Sequence, residues 1–331
     1  MTFQHAGIIG AGSWGTALSL VLAETLPRVT LWGHNAGHVE SLRADRINRN
    51  YLPEIRLPEP IDFTAELDDL AACDLLLLVT PSKALREVAA RLSTVTLRED
   101  AVLLSCTKGV ERGSGLRMSE ILVECFPQHA IAVLSGPGHA EEVAQRKPTA
   151  IVLGCRDEAL EAPLQQAFNT AYFRPYTSND LAGIELGGAL KNIFALAAGV
   201  SDGLGLGDNS KAALVTRSLA EMVRLGVALG GQRETFQGLS GIGDLVVTCF
   251  SHHSRNRAVG ERLGRGETLS AIVSSMNMVA EGVPTTYSAH ECARRLGIET
   301  PIIDQTRALL DGTLSAAEVA ANLINREPKR E

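Results

Sequence analysis

Along its first half the chain alternates short apolar runs with stretches whose apolar residues recur at helical spacing. Residues 6–10, 29–32, 75–79, 101–105, 131–134 and 150–153 form compact apolar runs. Strands that read as unbroken apolar runs are covered on both faces, so the pattern predicts a mostly parallel sheet with helices on either side. Several runs leave into turn or polar residues: Thr80-Pro81-Ser82, Thr107-Lys108-Gly109 and Ser135-Gly136-Pro137-Gly138. In open α/β sheets ligands bind beyond the carboxyl ends of the strands, so chemistry should collect at these exits.

The pattern changes at Thr177-Ser178-Asn179-Asp180, a run of good N-cap residues. Beyond it no strand series follows. Residues 210–229, 256–263, 287–296 and 302–310 read as helices between glycine-rich loops, and 326–331 as a frayed, solvated end. The chain has 331 residues, enough for two domains. The expectation is a doubly wound, Rossmann-type α/β domain over 1–180 and an all-helical domain over 181–331.

The first helix of the second half, 180–198, carries only Glu185 and Lys191 as charges after Asp180. A helix apolar almost all round is an interior helix. Lys191 has no acid at i±3 or i±4, and desolvation would lower its pKa toward the range that proton transfer needs. The ordinary alternatives are a lysine that snorkels to the surface or one that ends in a structural ion pair.

Composition narrows the function. Hydrophobic residues at 45% and charged residues at 21% describe an ordinary globular protein. A net charge of −7 argues against nucleic-acid binding and leaves room for a small anionic substrate. The six cysteines are scattered, with no CxxC pair and no histidine cluster at metal spacing, so no metal is expected; they read as reduced thiols of a cytoplasmic protein. Residues 6–23 lack the basic start of a signal peptide, and no run approaches the roughly 20 apolar residues of a membrane span.

Gly10-Ala11-Gly12-Ser13-Trp14-Gly15 matches GxGxxG, follows a strand and opens a helix, the context that makes this pattern informative. Gly10 permits the tight turn, Gly12 the approach of a pyrophosphate, and Gly15 the packing of helix on sheet. The second strand ends in Gly33-His34-Asn35, without the acid that bonds a ribose 2′-hydroxyl; this favours NADP over NAD, with His34 either contacting the 2′-phosphate or simply ending the strand. Lys108 could hold an anion or a carbonyl at its strand exit, or be a solvated loop lysine. Asp244, after Gly241-Ile242-Gly243, reads as an N-cap or a site residue. Ser254-Arg255-Asn256-Arg257 reads as phosphate recognition at a helix start or as an exposed charge run.

Together these segments, with Ser135-Gly136-Pro137, Glu185-Leu186-Gly187-Gly188-Ala189-Leu190-Lys191-Asn192 and Glu281-Gly282, resemble the bacterial-type NAD(P)-dependent glycerol-3-phosphate dehydrogenases over nearly the whole chain. The resemblance implies reversible hydride transfer between a nicotinamide cofactor and dihydroxyacetone phosphate, giving sn-glycerol 3-phosphate for phospholipid synthesis. It implies that Lys191 is the acid/base, that Lys108, Asp244 and Thr248 surround the reacting groups, and that Asn192, Arg255 and Asn256 hold the phosphate end. Ser13, Trp14, His34, Lys108, Ala140, Arg255, Val279 and Glu281 match cofactor-contacting positions, and Gly136, Ser254 and Asn256 substrate-contacting ones. Gly138 departs from the pattern: many members carry Ser or Thr there, so here only the backbone could serve. The apolar helical half is compatible with a homodimer. The neighbouring alternative is a β-hydroxyacid or ketopantoate-type reductase of the same two-domain plan.

Overall fold

A computed structural model describes residues 2–276 and 278–327, so the expected frayed end at 326–331 lies partly outside the described residues. Among the described residues ten strands form: β1 (His5–Ile9), β2 (Arg28–Trp32), β3 (Ile47–Asn48), β4 (Leu52–Arg56), β5 (Ile61–Thr64), β6 (Leu75–Leu78), β7 (Val102–Ser105), β8 (Ala130–Ser135), β9 (Thr149–Cys155) and β10 (Phe173–Ser178). Eight make one sheet in the order β10-β9-β8-β7-β6-β1-β2-β5, and β3 pairs with β4 in a separate antiparallel ribbon. Within the large sheet every neighbouring pair is parallel except β8–β9. The strand order reverses at β1, which has β2 on one side and β6 on the other, so the turn after β1 stands at the topological switch point.

Central strands β1, β6 and β7 are buried along their whole length, which is why they read as continuous apolar runs. Edge strands β5 and β10 alternate with solvent and give no such run; Arg174 and Tyr176 of β10 are exposed, and Pro175 is tolerated there because the strand pairs only with β9. Six helices accompany these strands: α1 (Ser13–Leu22), α2 (Ala36–Asp45), α3 (Ser82–Leu92), α4 (Met118–Cys125), α5 (Ala140–Ala144) and α6 (Glu158–Phe168).

Among the described residues eight further α-helices follow: α7 (Leu181–Gly203), α8 (Gly207–Ala228), α9 (Asp244–Phe250), α10 (Arg255–Gly264), α11 (Leu269–Ser274), α12 (Gly282–Leu296), α13 (Pro301–Leu310) and α14 (Ala316–Ile324). The presumed cap run divides its labour. Thr177 and Ser178 finish β10, while the Asp180 carboxylate accepts from Gly183 N at 2.9 Å and caps α7. By contacts the chain forms two compact units. One holds the residues up to Lys108 with Arg117–Glu185; the other holds Gly109–Leu116 with Leu186 onward.

Helix α7 corrects one expectation. At 23 residues it is long and apolar enough to span a membrane, contrary to the reading that no run approaches that length; 89% of its most apolar window is buried inside the chain. It is the interior helix its composition predicts. Its crossing with α10 is close because glycines stand on both sides: a side chain on Gly199 would strike the Arg257 carbonyl, and one on Gly260 the Leu196 carbonyl. That contact seats the middle of α10 against the C-terminal third of α7.

Candidate active site

The turn after β1 is shaped by its three glycines. Gly10 has φ +131°, a region that disfavours side chains, and a Cβ there would stand 2.5 Å from the Val79 carbonyl oxygen. A Cβ on Gly15 would strike the Gly10 carbonyl, so α1 is packed directly on the turn. Gly12 is the opposite case: no atom lies within 4 Å of where its Cβ would be. Helix α1 then starts at Ser13 with no side-chain cap and no acid in its first turn. Open space beside Gly12, uncapped N–H groups and the positive end of a helix dipole fit the pyrophosphate of a dinucleotide.

The same unit carries the other strand exits. Lys108 donates from Nζ to the Gly136 carbonyl at 2.8 Å, and Gly136 has φ +131°. Gly138 faces the Trp14 ring, whose Cη2 would lie 2.9 Å from an added Cβ; a serine or threonine here would require the indole to move. Trp14 Nε1, Thr80 Oγ1, Ser105 Oγ and Ser135 Oγ are buried without a hydrogen-bond partner among the described residues, a set of polar atoms along the ligand edge. Ala140 is the buried first residue of α5. His34 is exposed beyond β2, and Asn35 caps α2 by accepting from His38 N at 2.9 Å. The arginines farther along are committed elsewhere: Arg43 to the Phe63 carbonyl, Arg46 to the Leu57 and Ile61 carbonyls, and Arg49 to Asp45.

In the second unit Lys191 is 7% exposed, so it does not snorkel. Its Nζ donates to Asp244 Oδ1 at 2.7 Å and to Thr248 Oγ1 at 2.6 Å. Thr248 in turn donates to Asp244 Oδ1 at 3.3 Å. Of the two readings of Asp244, N-cap or site residue, the structure therefore removes the N-cap. A π-helical turn over Leu239–Gly243 leads into α9, Asp244 is the first α9 residue, and its carboxylate goes to the ammonium. Cys249, the next residue after Thr248, is no competing nucleophile, because burial pushes its thiol up to about 12.

One turn of α7 beyond Gly188, Asn192 meets α10. Asn256 Nδ2 donates to Asn192 Oδ1 at 2.8 Å, and Asn256 Oδ1 accepts from Gly282 N at 2.8 Å. Gly282 must be a glycine, since a Cβ there would lie 2.5 Å from the Asn192 carbonyl oxygen. Ser254 uses its hydroxyl to cap α10, accepting from Arg257 N at 3.2 Å. Arg255 is exposed and donates to the Val279 carbonyl at 3.1 Å; Glu281 follows as the residue before α12. Amides held by α7 and α10 beside an arginine at a helix start are of the chemical kind that can hold an anion.

Family models match both halves of the chain: NAD-dependent glycerol-3-phosphate dehydrogenase N-terminus over residues 5–161, and its C-terminus over 180–321. The chain belongs to the NAD-dependent glycerol-3-phosphate dehydrogenase family. A glycerol-3-phosphate dehydrogenase [NAD(P)+] of Syntrophotalea carbinolica is 48% identical over 332 residues, covering 99% of each chain. A crystal structure of glycerol-3-phosphate dehydrogenase from Coxiella burnetii matches with a TM-score of 0.94 at 38% identity, over 98% of this chain and 99% of that one. A ketopantoate reductase structure from Ralstonia eutropha shares the fold alone, with a TM-score of 0.63 at 15% identity over 97% of this chain and 100% of that one. Whole-chain identity to glycerol-3-phosphate dehydrogenases favours that family over the ketopantoate-type alternative.

Two features of this family member escaped the sequence. Glu185 is buried on α7 and accepts from Ser119 N at 2.8 Å, Ser119 Oγ at 2.5 Å and Arg117 at 2.6 Å; burial raises its carboxyl against those partners. Asn48, between two exposed or half-buried arginines, looks like loop polarity in the sequence but is fully enclosed. Among the described residues no group of three or more metal-ligating side chains converges.

Proposed function

We propose that this oxidoreductase interconverts dihydroxyacetone phosphate and sn-glycerol 3-phosphate with a nicotinamide cofactor, NADP in preference to NAD. The observation that carries the reading is the buried Lys191–Asp244–Thr248 cluster beside the Asn192–Asn256 pair. Gly10, Gly12, Ser13, Trp14 and Gly15 would hold the dinucleotide, with His34, Lys108, Ala140, Arg255, Val279 and Glu281 as further contacts. When bound, the dinucleotide supplies the hydride.

The protein's part is to manage the proton and the charge. Reduction at C2 builds negative charge on the ketone oxygen, and an ammonium stabilises that charge in a site with little water. Lys191 then gives its proton to this oxygen, and takes it back in the oxidative direction. Asp244 holds the ammonium in place through Oδ1, and Thr248 orients it, its own proton turned toward the carboxylate. Arg255, Asn256 and Asn192 hold the phosphate end, with the Ser254 backbone at the start of α10, while Lys108 and the Gly136 and Gly138 backbone serve the substrate. The setting would be cytoplasmic, supplying glycerol 3-phosphate for phospholipid synthesis, with a homodimer as the assembly.

The test is the consumption of NADPH by the full chain with dihydroxyacetone phosphate, against phosphate-free 2- and 3-oxo acids including ketopantoate. Turnover should require the triose phosphate. Faster turnover of a phosphate-free oxo acid would overturn the assignment.

A further inference from the structure

Asn48 is 0% exposed, in the two-residue strand β3. Its Nδ2 donates to the Ala11 carbonyl at 3.0 Å and to Thr16 Oγ1 at 2.7 Å. Its Oδ1 lies 3.0 Å from His38 Nε2. Chemistry sets the orientation of this amide. A carbonyl only accepts, so the NH2 group must face Ala11, and the oxygen is left for His38, which donates from Nε2. The neutral Nε2–H tautomer and the imidazolium both present that proton. One side chain therefore ties together the glycine turn, the first turn of α1 and the start of α2.

The consequence for the turn follows from peptide geometry. The Ala11–Gly12 peptide is trans and planar, so its C=O and N–H point in opposite directions. Holding the Ala11 oxygen toward Asn48 turns the Gly12 N–H away from it, at the one residue of the three glycines with open space beside it. Without that hold the peptide is free to rotate and to present its oxygen where an anion needs a donor.

We propose that Asn48 is a positioning residue for the dinucleotide: it fixes the Ala11–Gly12 peptide so that its N–H, not its C=O, is available to the pyrophosphate. This rests on the dinucleotide reading of the glycine turn. Asn48→Asp replaces the hydrogen bond to Ala11 by a carboxylate facing a carbonyl, while the Thr16 hydroxyl can turn to donate to the new group. His38→Ala leaves both bonds donated by Asn48 in place and removes the support behind its amide oxygen, together with the ring contact of His38 with Tyr51.

Calorimetric titration of the full chain with NADPH alone, run beside thermal melts and steady-state kinetics, tests the proposal. Asn48→Asp should raise the NADPH Kd about tenfold and His38→Ala about threefold, in line with the loss of hydrogen bonds that hold a binding group. The KM for NADPH should rise with the Kd, while the KM for dihydroxyacetone phosphate stays within about twofold. A cooperatively melting Asn48→Asp with unchanged NADPH affinity would overturn the proposal, as would equal rises in both KM values. Should Asn48→Asp not fold, an unchanged Kd in His38→Ala overturns it alone. Failure of the unmodified chain to bind NADPH or NADH would instead remove the dinucleotide reading beneath it.

Discussion

The glycine turn after β1 and the lysine site of α7 are both suited to anions, but they are made of different material. The turn has no charged side chain between Gly10 and Gly15 and presents backbone N–H groups at the start of α1. The lysine site concentrates charge on side chains and buries it, with Lys191 at 7% exposure and Asp244 at 1%. The contrast teaches how each fails. A site made of backbone is spoiled by adding atoms; a site made of side chains is spoiled by removing them.

Removal at the lysine site should have the largest effect. Lys191→Ala deletes the proposed proton donor, so kcat should fall by about 10³-fold, the range of a lost general acid with electrostatic stabilisation, as measured by initial rates with saturating NADPH. NADPH affinity should stay within about twofold, because the turn is built without that lysine. A comparable loss of cofactor affinity would break the contrast. The variant should also melt lower, by about 3 kcal/mol, since Asp244 loses its buried partner.

Addition at the turn comes next, and the glycines should separate. Gly12→Ala places a methyl in open space, so the protein should melt like the unmodified chain while the NADPH Kd rises about tenfold. Gly10→Ala places it against the Val79 carbonyl at a positive φ and should lower stability as well, by about 2 kcal/mol or more. Equal melting of the two variants in denaturation experiments would contradict the packing argument.

How much of this was legible in the sequence follows the same division. A backbone site is written as missing side chains at fixed intervals, so Gly10, Gly12 and Gly15 could be read in order, and the structure gives Gly10 and Gly15 close backbone contacts and Gly12 open space. Lys191 was legible as a charge out of place on an apolar helix. Its partner was legible only through the family resemblance: Asp244 lies 53 residues away, and its local setting fitted a helix cap as well as a site residue. The sheet shows a parallel limit. Strands β6 and β7, buried on both faces, announced themselves, while half-solvated β10 did not, and nothing in an apolar run tells that β8 and β9 are antiparallel. Asn48 was hidden because enclosure is a property of the neighbours that fold over it.

The smallest expected effect combines both materials. Glu221 of α8 sends its carboxylate to the backbone N–H groups of Ile302 and Ile303 at the start of α13, at 3.0 and 2.9 Å. Burial pushes its carboxyl up to about 7, outweighing the pull of those N–H groups. An acid with a raised folded pKa holds its proton more tightly when folded. Its stabilising contribution is therefore complete below the ordinary glutamate value of 4.5 and is lost as pH rises through about 7. Glu221→Gln should flatten the decline in melting temperature between about pH 5 and 8. Melting curves that stay parallel to those of the unmodified chain across that window would show that the carboxyl does not titrate there.

The most direct test of the central claim, that the Lys191 ammonium protonates the substrate oxygen, is rescue of Lys191→Ala by a small primary amine. With NADPH and dihydroxyacetone phosphate saturating, added methylamine should restore part of the lost kcat in proportion to its ammonium concentration, with the NADPH Kd unchanged. A Lys191→Ala variant whose kcat remains within about tenfold of the unmodified enzyme before any amine is added would contradict the claim outright.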